Sequence, residues 1–263
     1  MPVFISTMNM QLTVIGCASG APSATKSSSS YLLTAGNNKY LLDCGDGTAA
    51  SVVRLNIDPN DIDHIFISHM HSDHCMGLLL LVQMMYNRKR TKKLTVHLPR
   101  EAEDGFKRLF YLAYLFPEKF DFELKFSGLD KDFVFEDENL RMEFFQNSHL
   151  YGNKEYIMSR TIPNRMQCFS MIADIGGRKI VYSADVGAIS DLEQIVESAD
   201  LLISEGMHVD LAQLPQLVIE THVKQLMLTH LPDQVDPDTI TQEFKKAGFE
   251  NLIFAKDGLN LFI

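Results

Sequence analysis

Three imidazoles and a carboxylate fall within six residues in the run His69-Met70-His71-Ser72-Asp73-His74. Imidazole nitrogen and carboxylate oxygen are ligands that borderline divalent metals such as zinc accept. Gathering them on one short loop lets a single turn serve two ions. The run follows apolar residues 65–67, read as a strand, so His69 and His71 project to the same side of an extended segment. Asp73 and His74 come as the chain turns into an apolar helix starting near Gly77. A solvated surface loop gives no reason for such a concentration.

Four ligands cannot complete two metal sites. The sequence offers three more, each just past an apolar strand: His149 after residues 141–145, Asp185 after residues 180–183, and His230 after residues 225–229. The remaining histidines lack that placement, and His64, His97 and His222 read as surface or half-buried residues. Cys75 follows His74 directly, where a small buried thiol is favoured over a ligand.

The elements that must carry these residues are legible from periodicity and turn residues. Strands are predicted over residues 11–16, 31–34, 40–42, 65–67, 94–97, 141–145, 167–173, 179–183, 201–204, 225–229 and finally near 252–255. Helices are predicted over residues 48–55, 77–86, 191–198, 211–220 and 237–247, the last stopped by Gly248. Strands come first in hairpins and then in alternation with helices, which predicts two mixed sheets with helices outside. Phe106, Leu109, Phe110 and Ala113 have core-helix spacing, yet Tyr111, Leu112 and Leu115 make the other side apolar too. That segment, 106–116, is either plain core or a lid or dimer surface.

The chain has 263 residues, 46% of them apolar and 22% charged, with 24 basic against 34 acidic residues and a formal charge of −10. This is a soluble globular composition, expected as one domain over residues 1–263. The acidic balance argues against a general nucleic-acid coat. The basic run from Arg88 to Lys93 suits a helix end and the turn after it, with binding of a polyanion as the sharper alternative. Cys17, Cys44, Cys75 and Cys168 are widely spaced without a CxxC pair, which predicts reduced thiols and a cytoplasmic setting. The start of the chain carries no convincing signal peptide, and no apolar run reaches the roughly 20 residues of a membrane helix.

The histidine run with His149, Asp185 and His230 downstream resembles the metallo-β-lactamase superfamily. The sequence is most similar to its ribonuclease Z-like branch, through Gly16-Cys17-Ala18-Ser19-Gly20-Ala21-Pro22, residues 29–33, Asp43-Cys44-Gly45-Asp46-Gly47-Thr48, residues 62–68 and Leu228-Thr229-His230. The resemblance runs in order over nearly the whole chain. It implies an α/β fold, the αβ/βα sandwich of two mixed β-sheets flanked by helices. It also implies two divalent ions, zinc by expectation with manganese or iron as alternatives. On this pattern His69, His71 and His149 hold one ion, Asp73, His74 and His230 the other, and Asp185 bridges both.

Members of that branch carry a Gly- and Pro-rich arm that grips transfer RNA, and the segment between His74 and His149 contains no obvious counterpart. Ser204-Glu205-Gly206-Met207 resembles the branch's His-Glu-Ala-Thr element. His208-Val209-Asp210 stands where a His-Ser-Thr element would fall. The implied activity is phosphodiester hydrolysis by a metal-bridging hydroxide. Asp73 would orient or deprotonate it, His208 would protonate the leaving oxygen, and Glu205 would hold the His208 ring. Processing of the 3′ end of transfer RNA is the first alternative, and hydrolysis of a thioester, lactone or lactam the second. RNA is a conceivable partner, a membrane is not expected, and a homodimer would follow from an exposed 106–116 face.

Overall fold

Neighbouring side chains of each central strand enter different cores. In the computed structural model, which describes residues 10–263, strand β1 (Met10–Gly16) sends Met10, Leu12 and Val14 to one side and Ile15 to the other. Strand β2 (Ser30–Ala35) splits Tyr31, Leu33 and Ala35 from Leu32, and β3 (Asn38–Leu42) splits Tyr40 and Leu42 from Leu41. Both faces are thus buried, which explains why these strands read as nearly continuous apolar runs. The second sheet repeats the device. Ile180 and Tyr182 of β10 (Arg178–Tyr182) and Leu201 and Ile203 of β11 (Leu201–Glu205) join the shared core, while Val181 and Leu202 turn outward.

Two seven-stranded sheets result, ordered β14-β1-β2-β3-β4-β5-β6 and β13-β12-β11-β10-β9-β8-β7. The first is completed by β4 (His64–Phe66), β5 (Leu94–Pro99), β6 (Leu124–Leu129) and β14 (Asn260–Phe262). The second is completed by β7 (Val134–Glu136), β8 (Arg141–Gln146), β9 (Phe169–Ile175), β12 (Leu226–Thr229) and β13 (Leu252–Phe254). In each sheet β3 to β6, or β10 to β13, run parallel, and the remaining pairs are antiparallel. Helices α1 (Thr48–Arg54), α2 (Ser72–Cys75), α3 (Leu78–Asn87) and α4 (Glu103–Leu112) accompany the first sheet. Helix α5 (Lys154–Arg160) follows β8, and α6 (Ser190–Glu193), α7 (Leu214–Glu220) and α8 (Pro237–Ala247) accompany the second sheet. This is the predicted αβ/βα sandwich of two mixed sheets.

Several expectations need correction. Strands β6, β7 and β14 and helix α5 have no counterpart in the sequence reading. Their short, half-exposed runs carry little alternation, and β14 is held by pairing with β1 across the full length of the chain. Helices α6 and α7 are shorter than predicted. Asp73 and His74 lie within the short helix α2, not on a turn into the next helix. The 106–116 segment divides: Phe106, Phe110 and Leu115 are core, whereas Leu112 and Tyr114 are 76% and 81% exposed. His97 is buried against Phe66 and Phe135, not surface or half-buried.

The basic run also proves to be largely structural. Arg90 is 1% exposed, and its guanidinium donates to the carbonyls of Pro59, Asn60, Ile62, Lys92 and Lys93. Lys92 pairs with Asp63, and Lys93 with Glu123 at 3.2 Å. Five backbone acceptors consume the fork of donors that would otherwise grip a phosphate. The expected absence of a signal peptide concerns residues 1–5, which lie outside the described residues. No helix among the described residues is long and apolar enough to cross a membrane.

Candidate metal centre

Every sequence-predicted site residue lies at or just past the end of a strand, on one rim where the two sheets meet. Strand β4 delivers His69 and His71 and leads into α2 with Asp73 and His74; β8 delivers His149, β10 Asp185, β11 Glu205 and His208, and β12 His230. Two departures from the strand use a left-handed backbone at a non-glycine residue, Ala184 (φ 50°) and His230 (φ 55°). Such conformations are disfavoured for L-residues, and here they swing Asp185 and His230 out of the pleat towards the rim.

The side chains gather into two clusters, His69, His71, His149 and Asp185, and Asp73, His74, His230 and Asp185. Within each, the ligand atoms lie within 4.8 Å of one another. Asp185 divides its oxygens between them. Its Oδ2 lies 3.8 Å from His69 Nε2 and 3.6 Å from His149 Nε2, and its Oδ1 lies 3.3 Å from His74 Nε2 and 3.7 Å from His230 Nε2. Asp73 Oδ2 lies 3.1 Å from His230 Nε2 and 3.4 Å from His74 Nε2. Cys75 belongs to neither cluster. Its buried thiol, pushed up to about 12 by burial and then by Asp43, faces the His71 carbonyl.

The donor set fits divalent cations. His74 Nδ1 donates to Asp43 at 2.7 Å. Ser68 Oγ donates to Asp43 at 2.8 Å and so accepts from His69 Nδ1 at 3.0 Å. With both Nδ1 protons fixed, the Nε2 atoms of His69 and His74 face the centre. These two atoms and Asp185 Oδ1 are buried without a hydrogen-bond partner, and such orphaned acceptors are rare unless an ion or water meets them. Burial alone would raise the Asp185 pKa, but His74, His230 and His69 hold it well below the usual carboxylate range. Burial opposes charge on His74, yet Asp185 and Asp43 hold its pKa well above normal. Burial, followed by the neighbouring His74, keeps His69 neutral, the state in which an imidazole can ligate.

Sequence reasoning missed the residues behind this first ring. In the sequence Asp43 stands out only as the first residue of Asp43-Cys44-Gly45-Asp46-Gly47-Thr48. Its carboxylate also accepts from Ser68 N at 2.7 Å and from Tyr182 Oη at 2.6 Å. Asn147 donates to the Asp185 carbonyl at 2.9 Å and accepts from His149 N at 3.1 Å, tying two loops together. The available signal was an acid or amide ending an otherwise apolar strand. Gly45 allows the Asp43 loop to touch α2: a Cβ there would lie 2.0 Å from the Asp73 carbonyl oxygen.

His208 Nδ1 lies 3.8 Å from Asp185 Oδ2 and 3.6 Å from Glu205 Oε2. Glu205, 1% exposed, accepts from the backbone N–H of Met207 at 2.6 Å and of His208 at 2.8 Å. It therefore grips the loop more directly than the ring.

The sequence model of the family described as Anti-Pycsar protein Apyc1 matches residues 10–256. The chain belongs to this family. It is 26% identical to the Ribonuclease Z of Azobacteroides pseudotrichonymphae over 95% of this chain and 98% of that protein. The metallo-beta-lactamase fold protein YhfI from Bacillus subtilis superposes with a TM-score of 0.76 at 24% identity, covering 96% of this chain and 99% of YhfI. The short form of human tRNase Z gives 0.72 at 22% identity, over 97% and 99%. The fold is that of the metallo-β-lactamase superfamily, of the ribonuclease Z-like kind, and the protein is a metal-dependent hydrolase.

Proposed function

We propose that this member of the Anti-Pycsar protein Apyc1 family hydrolyses phosphodiesters at a dinuclear centre, probed first with zinc. His69, His71 and His149 would hold one ion, Asp73, His74 and His230 the second, and Asp185 both. The observation that carries this reading is the division of the Asp185 carboxylate, one oxygen facing each histidine cluster. Two divalent ions in such an arrangement supply Lewis-acid polarisation and neutralise charge on the phosphoryl oxygens. Asp73, at the mouth of the centre, would orient the attacking water or accept its proton. The His208 ring is 34% exposed, so it can reach a bound ester and donate a proton to the leaving oxygen. Glu205 fixes that ring's loop through its two backbone N–H groups.

A second reading, cleavage of transfer RNA, is favoured by the names that the related proteins carry. Against it stand the net charge of −10 and the internal use of Arg90. The test is to assay metal-analysed protein on an aryl phosphodiester, a precursor transfer RNA with a 3′ trailer, and a thioester. Turnover of the phosphodiester that disappears with a chelator and returns with metal supports the reading. Cleavage of the RNA at one discrete position would replace it with the second.

The expected single domain over residues 1–263 is supported among the described residues, where side chains from both sheets share one central core. A cytoplasmic setting suits four free, buried thiols. A homodimer through the exposed Tyr111, Leu112 and Tyr114 is tested by sedimentation, and a monomer at micromolar concentration would remove it.

A further inference from the structure

Two cavities border the candidate centre, one reaching Asp73 and the other His71. One, about 930 Å³, begins at Asp73 and is lined by the hydroxyls of Ser23, Ser27, Ser51 and Ser72 with Arg54 and Asp46. The other, about 770 Å³, begins at His71 and Met70 and runs between α4 and α5. Its walls are Phe106 and Leu109 on one side and Leu150, Ile157 and Ile162 on the other. The latter volume is that of a small-molecule site, and small-molecule sites are characteristically apolar with few polar groups. Because His71 both faces the centre and lines the groove, a phosphorus atom held over the centre sends a substituent directly into it.

Resting on the phosphodiester reading, we propose that the groove between α4 and α5 is the subsite for an aromatic ester group of the substrate. The serine-lined cavity takes the more hydrophilic remainder. A flat ring buries a large area for the loss of few rotors, which suits a slot between two helices. Gly105 is an exposed residue of α4 at the groove wall, and a Cβ there would meet nothing within 4 Å, so a large side chain placed there has room to lean across the groove.

The test uses metal-loaded protein and two competing ligands with no second aromatic group, phenyl methyl phosphate and dimethyl phosphate, each read as a competitive inhibitor of phosphodiester turnover. The wild type should bind the phenyl ester about tenfold or more tightly. Gly105→Trp fills the groove and should abolish that preference, with the thermal midpoint unchanged or higher. Ile157→Asn, at a half-buried wall position, should weaken the preference without filling anything. Equal loss on both esters, or an unchanged ratio, overturns the proposal. So does an unchanged ratio accompanied by conversion of a dimer to a monomer, which would assign the groove to a second copy of the chain. Calorimetric binding of phenyl phosphate against methyl phosphate reads the groove independently of turnover. If no phosphodiester is cleaved but phenyl phosphate binds tighter in a Gly105-dependent way, the hydrolytic reading fails and the subsite stands.

Discussion

Asp43 and His74 are joined by a 2.7 Å hydrogen bond in which the imidazole Nδ1 donates to a carboxylate that is completely buried. Such carboxylate–histidine pairs fix the tautomer and raise ligand basicity, and losing one typically weakens metal affinity by about 10–100-fold. Asp43→Asn is therefore expected to lower affinity within that range in chelator-competition titrations while the fold persists by circular dichroism. Tyr182→Phe, which removes a 2.6 Å donor to the same oxygen, should have a smaller effect in the same direction. Unchanged affinity in Asp43→Asn would show that the bond is structural only.

Gly45→Ala tests the seam between the Asp43 loop and α2. The new methyl would lie 2.0 Å from the Asp73 backbone oxygen, so the backbone must move. Overpacking of this kind costs roughly 1–3 kcal/mol. A lower denaturation midpoint together with weakened metal binding is expected, because Asp73 and His74 ride on the displaced helix. A fall in stability with unchanged metal binding would uncouple the two.

His208→Ala separates the proton-donor role from a structural one. Turnover of an activated ester such as a p-nitrophenyl phosphodiester should be nearly unchanged, whereas an alkyl phosphodiester should lose about 10²-fold or more. Unchanged rates on both would sink the role.

Burial, with lesser contributions from His64 and Lys125, lowers the pKa of His97 from 6.5 to about 3. The folded form therefore refuses a proton that the unfolded chain accepts. Stability is fully present above pH 6.5 and declines as pH falls towards 3, by up to about 1.4 kcal/mol per pH unit from this group. The ring stacks 4.5 Å from Phe66, so His97→Phe should fit. Urea midpoints at pH 7 and pH 5 on metal-loaded protein should differ less in the variant than in the wild type.

Arg90→Met removes the donors to five carbonyls. Leaving buried acceptors unpaired costs about 1–3 kcal/mol each where water cannot reach them. A marked loss of thermal stability is expected, with RNA retention on a filter unchanged. A selective loss of RNA binding at full stability would restore the basic run as a binding patch.

The seven residues proposed as ligands were legible because metal ligation demands rare residue types at strand ends, and the strands themselves are conspicuously apolar. The partition into two groups was implied by resemblance, and the geometry of Asp185 now gives it a physical basis. Asp43, Ser68, Tyr182 and Asn147 were not legible as a network. Each is an ordinary polar residue whose role exists only once distant strands are brought together. Strands β6, β7 and β14 escaped for a related reason: their half-exposed sequences have little pattern of their own and are specified by their neighbours. Arg90 shows the converse error, in which a local run of charge suggested a surface that tertiary structure turned inward.

Strand β14 pairs with β1, and nearby Asp257 accepts from Ser27 N at 2.8 Å. The first sheet is thus finished by residues far along the described chain, with Phe262 paired to Gln11. Contacts of such long span close slowly and only after the intervening chain exists. The serine loop beside Asp73 gains this support only once residue 257 has been made. A nascent chain stopped before residue 257 should therefore present an unsealed edge to chaperones and proteases, and the proposed centre should lack competence in it.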